Sequence, residues 1–313
     1  MQDTILIVGA GTMGSAIGCC AALAGNQVRF YDASDTARKT VLDRAAKTIA
    51  DLERYELCDP SAGDTALHNM TVAASLSDAA AGVALVIEAI YENLEAKQTM
   101  FAELDSLVPA DVPILSNTSG LRITDIAANT HHPERALTAH FWLPAHLVPL
   151  VEIVIGDHSS PVVAENVKKM LTAWGKSPVI VQRDLPGQLA NRVLQAVIRE
   201  AVNIVEIGLA SPEDVDTAIK MGMALRFPVW GPLEHVDAVG LDLCESVQDT
   251  VLPGLSSRTD ASPIFDEHIK QGELGYKTGH GFYDWTEKSM DDLVQARDEF
   301  IVTALKQMGE RKE

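Results

Sequence analysis

Three side chains in this sequence have the chemistry needed to move a proton on or off an alcohol: Ser119, His140 and Glu152. Oxidation of an alcohol by hydride transfer needs a base on the hydroxyl, a partner that sets the base, and a donor that fixes the oxygen. Glu152 lies inside the apolar run Leu150-Val151-Glu152-Ile153-Val154, where an ionised carboxylate is costly unless it is paired. A histidine is a suitable partner, because a carboxylate at one ring nitrogen holds the imidazole in a single tautomer. Each residue also has a plainer reading. His140 alone could be a satisfied strand histidine, Glu152 an outward-pointing edge residue, and Ser119 a turn former.

A second group of residues points to a cofactor. The apolar run Ile5-Leu6-Ile7-Val8 feeds into Gly9-Ala10-Gly11-Thr12-Met13-Gly14, and a second run, Val28-Arg29-Phe30-Tyr31, ends in Asp32. Strand, glycine turn, helix, strand and acid at this spacing form the dinucleotide fingerprint. Gly9 permits the tight turn, Gly11 lets backbone approach a pyrophosphate, and Gly14 lets the helix pack on the strand. Residues 9–14 then present unpaired N–H groups and a positive helix end to the phosphates. A carboxylate at position 32 accepts both ribose hydroxyls of NAD and would repel the 2′-phosphate of NADP. NAD is the expected cofactor.

These residues need a sheet to hold them in register. After Asp32 the pattern predicts a helix from Ser34 to Tyr55, broken at Asp59-Pro60-Ser61. Strands follow near Thr71 and over Val83–Ile87, then a helix from Asn93 to Leu107 and strands near Pro113–Ser116, Ala136–His140 and Val151–Ile155. A helix from Pro161 to Trp174 and a strand from Pro178 to Val181 close the pattern. Alternation of strands and helices predicts a parallel, doubly wound α/β sheet of Rossmann type, with ligands at the carboxyl ends of its strands. Beyond Pro186 only helical patterns remain, over Gln188–Leu209, Pro212–Met221, Leu233–Asp249, Ser262–Gln271 and Glu287–Met308. The expected domains are a nucleotide-binding one over 1–184 and an all-α one over 185–313 for substrate and dimerisation. The apolar helix over 188–209 suggests a homodimer.

Composition narrows the partners. With 44 acidic against 25 basic residues the formal charge is −19, which disfavours nucleic acid and anionic membrane surfaces. No apolar run is long enough to span a bilayer and no signal-like leader is visible, so the expectation is a soluble cytoplasmic protein. Cys19, Cys20, Cys58 and Cys244 lack metal-ligand spacing and read as reduced, with no metal site.

Several further stretches carry a family resemblance: VIEAIYEN around Glu88, SNTSGL around Ser119, HF followed by PLVEIV, PGQLANR around Asn191, GPLEHVDAVGLD, and GYKTGHGFYDW around Lys277. Over nearly its whole length the chain resembles the NAD-dependent L-3-hydroxyacyl-CoA dehydrogenases and their relatives acting on free hydroxy acids. The resemblance implies His140 as general base and Glu152 as its orienting acid. It further implies that Ser119 contacts substrate and cofactor, that Asn191 positions the substrate oxygen, and that Glu88, Asn93 and Lys277 contact NAD.

The sequence departs from the acyl-CoA enzymes in two places. They read HFFNP where this chain has His140-Phe141-Trp142-Leu143-Pro144, and they place cations in a segment where this chain, from Tyr55 to Ala96, has no Lys or Arg. Phosphates without cationic partners bind poorly. Together with Pro149-Leu150-Val151-Glu152 and a further helix after Trp285, this resembles the lambda-crystallin, L-gulonate 3-dehydrogenase and carnitine dehydrogenase branch. The expected substrate is therefore a small free L-3-hydroxy acid, oxidised to the 3-keto acid. The alternatives are an L-3-hydroxyacyl-CoA of fatty-acid metabolism and a non-catalytic, crystallin-like NAD-binding role. Trp142, with Trp230, could also offer an aromatic face to a cationic or ring-bearing substrate.

Overall fold

The computed structural model describes residues 3–310. It divides into two compact units, residues 1–190 and 191–313. The first unit is built on eight strands: β1 (Thr4–Val8), β2 (Gln27–Tyr31), β3 (Met70–Val72), β4 (Leu85–Glu88), β5 (Ile114–Ser116), β6 (Ala136–Phe141), β7 (Leu150–Ile155) and β8 (Ser177–Val181). They form one sheet in the order β3-β2-β1-β4-β5-β6-β7-β8. Its helices are α1 (Thr12–Leu23), α2 (Asp35–Arg54), α3 (Pro60–His68), α4 (Leu76–Ala80), α5 (Leu94–Leu107), α6 (Ile123–Ile126) and α7 (Pro161–Ala173).

The central strands are apolar throughout because both of their faces are covered. Along β1, Ile5 and Ile7 enter one core with Phe30, Val41, Ile49 and Val167, while Leu6 and Val8 enter the other with Val86, Phe101 and Leu104. This is the two-residue period of a strand buried on both sides. Strand order reverses between β1 and β4, so a crevice opens at their carboxyl ends, where such sheets bind ligands.

Two expectations need correction. The sheet is not wholly parallel, since β7 runs antiparallel to β6 and β8 is parallel to β7. Only residues 142–149 join β6 to β7, and a parallel return requires a longer crossover, usually a helix. Asp59-Pro60-Ser61 does not simply break a helix either; it starts α3. Asp59 caps that helix through Ser61 N–H at 2.8 Å, and proline suits its first turn.

The second unit is helical, with α8 (Ala190–Glu206), α9 (Pro212–Ala218), α10 (Pro232–Val239), α11 (Leu241–Val251), α12 (Pro263–Lys270) and α13 (Met290–Glu310). The helix predicted over Leu233–Asp249 is two helices, interrupted at Gly240, and α9 continues into a π-helical turn over Ile219–Ala224. The helix predicted to be apolar on most sides, α8, buries Val202 but exposes Val193 and Leu194. No described helix is long and apolar enough to cross a membrane.

Candidate active site

The glycine turn has the geometry that its spacing predicts. Gly9 sits at φ +104°, in a region L side chains avoid, and a Cβ there would meet the Ala89 carbonyl oxygen at 2.5 Å. A Cβ on Gly14 would lie 1.8 Å from the Gly9 carbonyl oxygen, so strand end and helix start touch backbone to backbone. Gly11 is different, because nothing lies within 4 Å of its Cβ direction. That open space faces the first turn of α1, which has no acidic residue and whose leading N–H groups lack intrahelical partners.

Beside the turn is a cleft of about 680 Å³ lined by Val8, Gly11, Asp32, Ala33, Ile90 and Asn93, among others. Asp32 is pre-set by N–H donors: Ala10 N–H reaches Oδ2 and Ser34 N–H reaches Oδ1, both at 2.8 Å. Each oxygen keeps a lone pair for a ribose hydroxyl. Two nearby cations are already engaged, Arg38 on the Asp32 carbonyl and Asp35, and Arg44 on the Ala10 carbonyl. Asn93 lines the same cleft while its Oδ1 caps α5 through Ala96 N–H at 2.9 Å. An open phosphate cradle, a ribose carboxylate and a cleft of this size fit NAD.

At the far side of the sheet, the antiparallel turn places His140, at the end of β6, directly opposite Glu152, near the start of β7. His140 Nδ1 lies 2.8 Å from Glu152 Oε2. The Glu152 side chain is fully buried and takes three more donors: Trp142 Nε1–H on Oε2 at 2.9 Å, and the N–H groups of Leu189 and Ala190 on Oε1 at 2.9 and 2.7 Å. Burial pushes the Glu152 carboxyl up. The hydrogen bond from His140, then those from Ala190, Trp142 and Leu189, outweigh it and hold the group down at about 2. An ionised carboxylate only accepts, so the shared proton sits on Nδ1, and the acceptor lone pair of a neutral ring would then be on Nε2.

Ser119 lies on the loop after β5, the parallel neighbour of β6, and that loop is tied to the strand through Asn117 Oδ1 and Phe141 N–H at 2.8 Å. The residue that shapes the loop, Glu92, was not singled out from sequence. Its Oε1 accepts from the Thr118 hydroxyl at 2.6 Å and from the N–H groups of Ser119 and Gly120 at 3.2 Å. Burial raises the Glu92 carboxyl, but the Thr118 hydroxyl, Lys97 and the two loop N–H groups bring it below the ordinary range.

Glu88, expected to touch NAD, is enclosed instead. Its Oε1 takes Ile90 N–H and Lys97 Nζ, each at 2.7 Å, and its Oε2 takes the Ser116 hydroxyl at 2.7 Å. The side chain is 0 % exposed, so a side-chain contact is replaced by support beneath the cleft, with Ala89 and Ile90 forming the surface. An acid ending a strand with a lysine nine residues on, inside the next helix, is the signal that could have revealed this pair. Asn191 and Lys277 belong to the second unit, Asn191 in the first turn of α8 and Lys277 in the turn closed by the Gly275–His280 bridge. Trp230, also in that unit, packs against His235 at 5.5 Å.

Comparison with known proteins places this geometry in a family. Residues 4–185 match the model of the 3-hydroxyacyl-CoA dehydrogenase NAD binding domain, and residues 187–285 match that of its C-terminal domain. The chain belongs to the 3-hydroxyacyl-CoA dehydrogenase family. It is an oxidoreductase that uses NAD. It is 39% identical over 287 residues to a probable 3-hydroxybutyryl-CoA dehydrogenase of Bacillus subtilis, covering 91% of this chain and 98% of that one. It is 34% identical over 304 residues to the 5-formyl-3-hydroxy-2-methylpyridine 4-carboxylate 5-dehydrogenase of Mesorhizobium japonicum, covering 96% and 97%. A crystal structure of a 5-dehydrogenase of that pyridine carboxylic acid, described as an NAD+-dependent dismutase, superposes with a TM-score of 0.90 at 32% identity, covering 99% of both chains.

Two features of this member of the 3-hydroxyacyl-CoA dehydrogenase family stand out. Helix α13 lies wholly beyond the residues matched by the family's C-terminal domain. From residue 55 to 96 the described surface carries Glu56, Asp59, Asp64, Asp78, Glu92 and Glu95 but no Lys or Arg, and Lys97, which follows, is buried on Glu88.

Proposed function

We propose that this enzyme oxidises the hydroxyl of a small, free L-3-hydroxy acid to the 3-keto acid, with hydride passing to NAD. The observation that carries the reading is the buried His140–Glu152 pair on the adjacent strands β6 and β7, its carboxylate held by three further donors. His140 Nε2 takes the hydroxyl proton, and Glu152, still ionised, stabilises the imidazolium that forms. Ser119, on a loop fixed by Glu92, donates to the substrate oxygen, and Asn191 holds that oxygen from the start of α8. The glycine turn, Asp32 and Asn93 bind NAD, with Lys277 as a further contact. When bound, NAD accepts the hydride.

The absence of cations from 55 to 96 supports a substrate without coenzyme A, whose phosphates need positive partners. The match over 99% of both chains to an enzyme named for a free aromatic carboxylate, α13 included, supports the same choice. A second reading, a 3-hydroxyacyl-CoA substrate, is favoured by the 39% identity to the Bacillus subtilis enzyme. A panel of 3-hydroxybutyryl-CoA, carnitine, gulonate, short free 3-hydroxy acids and a pyridine carboxylate, read by NADH formation, decides between them. Preference for the CoA ester would overturn the first reading, and no turnover with any would favour a non-catalytic role. His140→Ala should keep NAD binding by titration while turnover falls at least about a hundredfold; unchanged turnover would remove His140 as the base.

The second unit supports a homodimer. It exposes Leu233 at 82 % and Leu209 at 71 %, with Met221, Val229 and Leu241 also open, apolar side chains that a second copy would cover. Light scattering at micromolar concentration should report twice the 33.7 kDa chain mass; a monomer there would contradict it.

A further inference from the structure

Trp142 sits where the family motif read above has a phenylalanine, and it touches the reacting pair in two ways. Its indole ring lies 5.6 Å from the His140 ring, tilted by 49°, and its Nε1–H donates to Glu152 Oε2, the same oxygen that faces His140 Nδ1. We infer that Trp142 is a positioning residue that tunes the base, by sharing Glu152 Oε2 with His140 and drawing off part of that oxygen's charge. The inference rests on His140 being the base.

The chemistry follows from the count of donors. Two oxygens meet four N–H groups, so each oxygen of Glu152 is held by two and the carboxylate cannot rotate to offer His140 a freer lone pair. A carboxylate oxygen that already carries one hydrogen bond stabilises a second, cationic donor less than a bare oxygen does. Trp142 therefore disfavours the imidazolium and lets His140 act as a base at lower pH. Of the charged groups on neighbouring elements, Arg183 after β8 and Arg192 in α8 are exposed, and several others are committed elsewhere. Glu88 and Lys97 pair behind β4 and β5, Glu92 holds the loop after β5, Lys176 before β8 turns to the carbonyls of Ala145 and Val148, and Asp184 after β8 accepts from Thr124. Of the charged residues of α7, Glu165 and Lys169 are exposed and Lys168 is half-buried, while the buried Ala164, Val167 and Leu171 form the face set into the core. His140 Nδ1 is engaged by Glu152 Oε2 at 2.8 Å.

The test is Trp142→Phe, which keeps an aromatic ring and removes the N–H. With a substrate from the panel above, the acid limb of kcat/KM for oxidation should move to higher pH by about half a unit or more. The corresponding limb for reduction should move the same way. Loss of packing alone would lower the plateau and leave the limbs in place, and that outcome overturns the inference. His140→Ala separates the two ideas: if it abolishes turnover while the Trp142→Phe limbs stay fixed, the base stands and the tuning fails. Should Trp142→Phe not fold, the native protein serves: one of its four indole N–H resonances should shift as pH falls through the acid limb of kcat/KM, because Trp142 shares Glu152 Oε2 with His140, and the absence of any such response overturns the inference.

Discussion

Replacing Glu152 by Gln changes one atom type at the point where four N–H donors converge. A carboxamide has a single acceptor oxygen with two lone pairs, so two of the donors from His140, Trp142, Leu189 and Ala190 are left facing an NH₂ group or nothing. Each buried donor left unpaired costs about 1–3 kcal/mol, so Glu152→Gln should lose roughly 2–6 kcal/mol at neutral pH. The carboxyl is lowered from 4.5 to about 2, which corresponds to about 3 kcal/mol and falls within that range. The sign is fixed by the direction of the shift. A depressed carboxyl stabilises the fold fully above its unfolded value and loses that contribution as pH falls through the folded one. The gap between native protein and variant should therefore be constant above about pH 5 and shrink by about 1.4 kcal/mol per unit below 4.5. Urea titrations at roughly pH 7, 5 and 3.5 measure it. Turnover should fall by about a hundred- to ten-thousand-fold, because the imidazolium loses its counter-charge and its fixed tautomer. A gap that does not change between pH 7 and 3.5, or turnover within tenfold of native, would refute the reasoning.

Two further substitutions separate folding from binding. Gly11→Ala places its methyl in open space, so the melting temperature should hold while NAD affinity drops about tenfold or more. Gly14→Ala collides with the Gly9 carbonyl and should destabilise the first unit by a few kcal/mol, which thermal unfolding detects. Asp32→Asn keeps an acceptor but removes the charge that repels a 2′-phosphate. The preference for NAD over NADP should narrow by about tenfold or more, and an unchanged ratio of kcat/KM values would show that Asp32 does not set it.

The dinucleotide half of the molecule was legible because its constraints are local. A positive φ at Gly9, a close approach at Gly14 and an acid ending β2 are all imposed within 32 residues. The His140–Glu152 pair was legible as two unusual residues in apolar strands, and the resemblance implied that they meet, but the geometry of their contact was not legible. It depends on β7 running backwards, and only the short link over 142–149 hinted at that. Glu88 was misread because an acid at the end of a strand at the switch point has the same sequence appearance whether it faces a ligand or a buried lysine. Lys97, nine residues later, decides the matter by its placement in space. Glu92 escaped notice because its role is to accept from a loop more than twenty residues away. Pro60 was read as a break because proline ends helices as readily as it begins them, and the Asp59 cap distinguishes the two.

The anchoring of Leu189 and Ala190 on Glu152 bears on how this protein can be taken apart and rebuilt. The family's two models meet between residues 185 and 187, which invites a splice there when the nucleotide unit is joined to a foreign helical partner. Such a chimera would discard Gln188, whose Nε2 holds the Thr118 carbonyl at 2.8 Å, and both N–H groups that saturate Glu152 Oε1. The donated piece would have to resupply them in the same positions. A junction after Ala190 carries the full set with the sheet, and modular recombination of this scaffold should be planned around that residue.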